Sequence, residues 1–249
     1  MRRLVVLLSL ILVLSLVTVM ASNVALAGSK VNLLVNPGAE TGDMTGWNII
    51  SNGGNGWKID TGGGKEGTKS FATSYGWCKR YQEIDLLAKG YSAAQLDAAP
   101  TIDIGEWFAG FGAVWMYDYA HEDYAYLKVE LRDANHNAIS SYDSGTFQCL
   151  DNNGKWWGPW IQQHHIFSSY GDGLRYIYFE DGGKDIEFWA GNYGTRLDAA
   201  YIYLSAPAVP ALSHLSIWTK ICSFGGLIVF FTLRKSRGKM QGTKPYSIG

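Results

Sequence analysis

Histidines, cysteines and paired acids are where chemistry would start in this 249-residue chain, and their spacing assembles no catalytic or metal-binding set. His164 and His165 are adjacent, so on a strand they point to opposite faces and cannot share one metal ion. His121-Glu122-Asp123 reads as an exposed polar loop. Cys78 precedes Lys79 and Arg80, cations that would lower a thiol pKa, but no histidine is placed to act as its base. Its aromatic and apolar neighbours make it a buried structural thiol. The stretch GGGKEGTKS, residues 62–70, approaches a phosphate-binding loop but has Thr68 where lysine is required. Glu180-Asp181, followed by two glycines, reads as a solvated pair in a hairpin turn. The expectation is a protein that is not an enzyme. Aromatic residues offer a different chemistry. DNNGKWWGPW, residues 151–160, is a stiff turn with three tryptophans that either plugs the end of a domain or exposes a stacking surface, and Trp157 is its candidate ligand contact.

The elements that would position these residues are strands. Ala125, Leu127, Val129 and Leu131 alternate with Tyr126, Lys128 and Glu130, and an Asp-Ala-Asn-His-Asn turn returns the chain through 138–142. LRYIYFEDGGKDIEFWAG predicts a second hairpin turning at Asp-Gly-Gly, and RLDAAYIYL a further alternating strand. Only a turn or two of helix is expected, over 92–98. Short strands, frequent turns and no βαβ rhythm predict an all-β, antiparallel β-sandwich.

The ends suggest a compartment. Arg2 and Arg3, an apolar run and a small-x-small site before Gly28 have the layout of a signal peptide over 1–27. Residues 28–204 would be one domain and 205–211 a linker. The apolar stretch 212–233 has the length of a transmembrane helix, and 234–249 forms a basic tail that would stay cytoplasmic. Val209-Pro210 ahead of the apolar run also resembles bacterial surface-sorting tails. The expectation is an exported protein, anchored in the membrane at the cell surface or periplasmic face. Of 21 Lys and Arg, two precede residue 28 and six follow residue 204; the 13 left face 22 Asp and Glu, a net of −9. A nucleic-acid partner needs the opposite sign. Cys78 and Cys149 are open to pairing or to remaining buried thiols.

Two resemblances sharpen the functional reading. NLLVNPGAETGDMTGW, residues 32–47, resembles the opening of jelly-roll carbohydrate-binding modules of the galactose-binding-like fold. Many such modules hold a structural calcium, for which Glu40 and Asp198 are the matching oxygen ligands; otherwise no cofactor is expected. SFATSYGWCKRYQEIDL, with NGGNGWKID, YGDGLRYIYFEDGGKD and IEFWAGNYGTR, resembles the F-box-associated domain family over residues 32–204. That family is the substrate-recognition half of ubiquitin-ligase adaptors, a role not expected of an exported chain with no F-box before the domain. The resemblance implies a galactose-binding-like β-sandwich. Some members bind the inner chitobiose of N-glycans through a loop aromatic at the position of Tyr75 and a Tyr-Trp-Lys run falling on Phe188-Trp189-Ala190. Asp123 is the nearest match to a further family aspartate. The tryptophan is kept, while the hydroxyl and the lysine are lost. What this implies is a non-catalytic binding module for glycans or glycoproteins; the alternative is a protein-interaction or structural module.

Overall fold

The structure, a computed structural model, describes residues 31–111, 122–150 and 158–205. The segments read as signal peptide, transmembrane helix and basic tail lie outside the described residues, as does Trp157.

The described chain is a sandwich of two antiparallel sheets. The first has the order β1 (Asn48–Ser51), β4 (Cys78–Asp85), β10 (Tyr176–Asp185), β6 (Glu122–Arg132) and β7 (Ala138–Asp143), with β8 (Phe147–Leu150) also pairing β6. The second has the order β2 (Lys58–Asp60), β3 (Ser70–Ala72), β11 (Arg196–Leu204), β5 (Ile102–Ala109) and β9 (Ile161–Phe167). A single turn of helix, α1 (Ala93–Asp97), starts at a capping box in which Ser92 and Gln95 satisfy each other's backbone amides.

Alternation sends side chains where the sequence predicts. Ala125, Leu127, Val129 and Leu131 of β6 are fully buried and meet Ile177 and Phe179 of β10 beside them, while Phe71, Ile104, Phe108, Leu197 and Ile202 line the opposing sheet. Burying such side chains stabilises by about 1.5–3 kcal/mol each. Trp47 closes one side of this core edge-on to Phe71 and Phe179, its indole N–H donating to Asn36 O at 3.0 Å.

The predicted hairpin at Asp-Gly-Gly does not form. Strand β10 runs straight through residues 181–183, with Gly182 opposite both Lys79 and Tyr126. The glycines serve close packing here: a Cβ on Gly182 would lie 2.7 Å from Cys78 O and from Tyr126 Cε1. Glu180 and Asp181 are therefore strand residues, not solvated turn acids. Glu180 accepts hydrogen bonds from the Tyr126 and Tyr178 hydroxyls.

Asp181 faces the core, where it forms an ionic cluster that spans both sheets. It accepts from Arg80 Nε at 2.8 and 3.1 Å, and Arg80 Nη2 donates to Glu106 Oε1 at 3.1 Å; all three side chains are fully buried. The guanidinium lies 3.6 Å from the Trp47 ring centroid and 3.7 Å from that of Phe71. One cation faces two buried carboxylates. Burial, then the charge of Asp181, holds the Glu106 carboxyl well above its ordinary range.

Cys78 and Cys149 are both buried free thiols. Burial raises the Cys78 pKa, against hydrogen bonds from the surrounding backbone. His164 and His165 do face opposite ways: His164 Nε2 lies 3.0 Å from Asp103 Oδ1, while His165 stacks on Tyr142.

Candidate functional site

Three loops meet at one end of the sandwich: 52–57 between β1 and β2, 73–77 between β3 and β4, and 186–195 between β10 and β11. They are tied by short hydrogen bonds. Asn55 Oδ1 accepts from Gly191 N at 2.7 Å, and Ser74 Oγ donates to Gly191 O at 2.6 Å while accepting from Asn55 N at 2.9 Å. Asn192 Nδ2 donates to Gly56 O at 2.6 Å. Asp185 ends β10 and caps the turn that follows, its Oδ1 accepting from Glu187 N at 2.7 Å and Phe188 N at 3.1 Å. The turn thrusts Trp189 outward, leaving it 85 % exposed.

The four other candidate ligand contacts divide. Tyr75, 41 % exposed, stands at the surface on the 73–77 loop, and the three-loop network links its loop to that of Trp189. Phe188 is half-buried and packs at 5.3 Å against Tyr193, which in turn packs at 5.1 Å on Phe111. Its ring supports the loop from below. Asp123 is corrected as a ligand contact: it is buried beneath this end, opposite Asp185 in the ladder, with Oδ2 accepting from Phe111 N at 2.7 Å. Burial pushes its carboxyl well up. Trp157 cannot be placed among the described residues. Tyr193, 36 % exposed beside Phe188, was missed by sequence reasoning, although its place four residues after Trp189 in the same glycine-rich loop is a usable signal.

Glu40 and Asp198 do converge, as ligands of one loop would, but what they hold is backbone. Glu40 Oε1 accepts from Thr68 N at 2.9 Å and Lys69 N at 2.8 Å. Asp198 Oδ2 accepts from Lys65 N and Glu66 N, and its Oδ1 from Ala199 N. The loop that resembled a phosphate cradle thus presents its amides to the protein's own carboxylates. Backbone hydrogen bonds from Lys69 and Thr68 lower the Glu40 pKa, while burial outweighs the same effect at Asp198 and raises it to about 6. A calcium site needs six to eight oxygens directed at the cation. A loop turning N–H groups inward does not fit one, and the described residues hold no cluster of three or more metal-ligating side chains.

The family model described as F-box associated region matches residues 26–204. The chain belongs to this family. F-box only protein 6 of Bos taurus is 36 % identical over 186 residues, covering 70 % of this chain and 65 % of that protein. F-box only protein 2 of Bos taurus is 32 % identical over 184 residues, covering 70 % and 58 %. Human F-box only protein 44 is 33 % identical over 190 residues, covering 71 % and 68 %. The chain spans about six tenths of the length of F-box only protein 6 and F-box only protein 2. Among solved structures, TmCBM61 in complex with β-1,4-galactotriose aligns with a TM-score of 0.45 and 14 % identity, over 70 % of this chain and 99 % of that one.

Membership makes this F-box-associated domain a non-catalytic binding domain. The same relatives overturn the expected location. They are mammalian F-box only proteins, and this overturns the reading of an exported, membrane-anchored chain. Among the described residues no helix is long and apolar enough to cross a membrane.

Proposed function

We propose that the F-box-associated domain binds glycans of glycoproteins at the three-loop end, with the Trp189 ring as the stacking face and Tyr75 as the second aromatic. The inner chitobiose of N-glycans is the ligand class implied by the resemblance of Tyr75 and Trp189 to the family's binding positions. One observation carries the reading: a tryptophan 85 % exposed on a loop fixed by hydrogen bonds. A large apolar ring left in water costs solvation that a core position would recover, and a rigid, solvent-facing ring suits the C–H face of a sugar. The ordering entropy of the loop is met by the fold in advance of any ligand.

The test measures binding and melting on one variant. Trp189→Ala should weaken chitobiose binding by about 1–3 kcal/mol, as removal of an aromatic hot spot does. Because the ring is exposed, folding stability should stay within about 0.5 kcal/mol of the parent. Unchanged binding of chitobiose with unchanged stability would defeat the reading. Ile186, 41 % exposed on the same loop, would then favour a protein partner for this end.

A further inference from the structure

A concave surface lies away from these loops, on the outer face of the five-stranded sheet. It is a cleft of about 530 Å³. Its floor is built by register. Asp198 of β11 lies opposite Trp107 of β5, which lies opposite Gln162 of β9; the next outward row is Tyr201, Gly105 and His164; the third is Tyr203, Asp103 and Ile166. A bulge in β11 makes these rows possible. The ladder shifts between Asp198 and Tyr201, with Ala199 at φ 51°, so one extra residue is absorbed. Leu197, Ala200 and Ile202 stay in the core while Tyr201 and Tyr203 line the cleft and Asp198 lies buried under the amides of the 63–69 loop.

Gly105 decides how Tyr201 lies. A Cβ there would come within 2.6 Å of the Tyr201 hydroxyl, so only glycine lets the phenol cross β5. Having crossed, the hydroxyl accepts from Gln162 Nε2 at 3.2 Å, and Tyr203 stacks beside the ring at 4.9 Å and 20°. The cleft's walls are the 36–41 turn and the 63–69 loop, the segments pinned by Glu40 and Asp198. Lys65 on that loop rests its ammonium 3.8 Å from the Trp107 ring centroid. The cleft is preformed, floored by three aromatic rings, and edged by the Gln162 amide and the Glu40 and Glu66 carboxylates.

We infer that this cleft is a second carbohydrate-binding site, independent of the three-loop end, that takes a short neutral oligosaccharide. Tyr201, Tyr203 and Trp107 supply the stacking faces and Gln162 a hydrogen-bonding group for sugar hydroxyls. A cleft of this size, with flat apolar faces and a few fixed polar groups, has the anatomy of a small-ligand site. Its chemistry narrows the class. At the edge Glu40 and Glu66 face Lys65 and Lys69, so no net positive charge is left to draw phosphates or acidic sugars, and a floor of side-by-side rings favours alternating C–H faces over a purely apolar ligand. Lys65 must swing off Trp107 when the sugar enters, so it acts as a charged cover whose cation–π contact competes with binding.

The experiment titrates the full chain with cellotetraose, xylotetraose and β-1,4-galactotetraose, following tryptophan fluorescence and calorimetry. The parent should bind at least one. Trp107→Ala and Gln162→Ala should weaken that binding about tenfold or more, Lys65→Ala should strengthen it several-fold, and Trp189→Ala should leave it unchanged. Gln162 is exposed, so its variant keeps the test valid if Trp107→Ala fails to fold. No binding of any of the three by the parent overturns the inference. So does binding that survives Gln162→Ala yet disappears in Trp189→Ala. Chitobiose titrated alongside separates the two sites, since its loss in Trp189→Ala bears on the loop end alone.

Discussion

Replacing Glu106 with glutamine should remove a pH dependence of stability while leaving the fold intact. Glu106 is fully buried, and its Oε1 shares the single Arg80 guanidinium with Asp181, which takes both Nε contacts. With two carboxylates on one cation, the third charge has no partner, and burial and Asp181 push the Glu106 carboxyl well above its ordinary 4.5. An acid raised in the folded state holds its proton there and loses it on unfolding. Its contribution is therefore full below pH 4.5 and declines as pH rises from 4.5 towards the folded pKa. The slope approaches about 1.4 kcal/mol per pH unit for one proton. Glu106→Gln reproduces the neutral form at every pH. Urea denaturation of the parent and variant at several pH values between 5 and 8 should show the parent losing stability relative to the variant as pH rises. Arg80→Met, by contrast, should cost about 3–5 kcal/mol, because it leaves two buried carboxyls without their cation. Asp123 and Asp198, also raised by burial, keep a slope of their own, so the reasoning fails if Glu106→Gln is several kcal/mol less stable at pH 7 and its pH slope equals the parent's. That result would mean Glu106 is ionised in the fold.

Further expectations rest on separate features. The Cys78 thiol, buried with its Sγ 3.5 Å from Gly53 O and its pKa raised by burial, should react slowly with a thiol reagent in the folded protein and quickly in urea; fast native labelling would contradict its placement. Asp198→Ala should lower stability by about 1–3 kcal/mol, since the amides of Lys65, Glu66 and Ala199 lose their acceptor, and a change near zero in a denaturation titration would count against the anchoring role. Calcium added to the parent should leave the melting temperature unmoved, because those amides occupy the carboxylate; a rise of several degrees would show that the loop opens to a cation.

The Asp-Gly-Gly misreading shows where local signals stop. Glycine beside an acid is a turn signal when only neighbours in sequence are considered. In the fold, Gly182 is needed because Cys78 O and Tyr126 approach from two flanking strands, and neither approach is visible in the stretch itself. Asp181 followed the same course, from a presumed surface acid to a core ion pair with Arg80, because its partner lies 101 positions away.

The sequence alone determined the β-sandwich, the buried row of Ala125 to Leu131, the short helical turn within 92–98 and the family, because alternation and quoted motifs are short-range properties of the chain. It also supplied Tyr75 and Trp189 as site candidates. Tertiary structure alone decided that Trp189 stands in solvent, that Asp123 lies buried, and that Glu40 and Asp198 hold loop amides. It alone brought Trp107, Tyr201 and Gln162 onto one face through a bulge and strand register. Exposure and convergence depend on which strands pair and what packs above them, and those are settled by contacts between residues far apart in the chain.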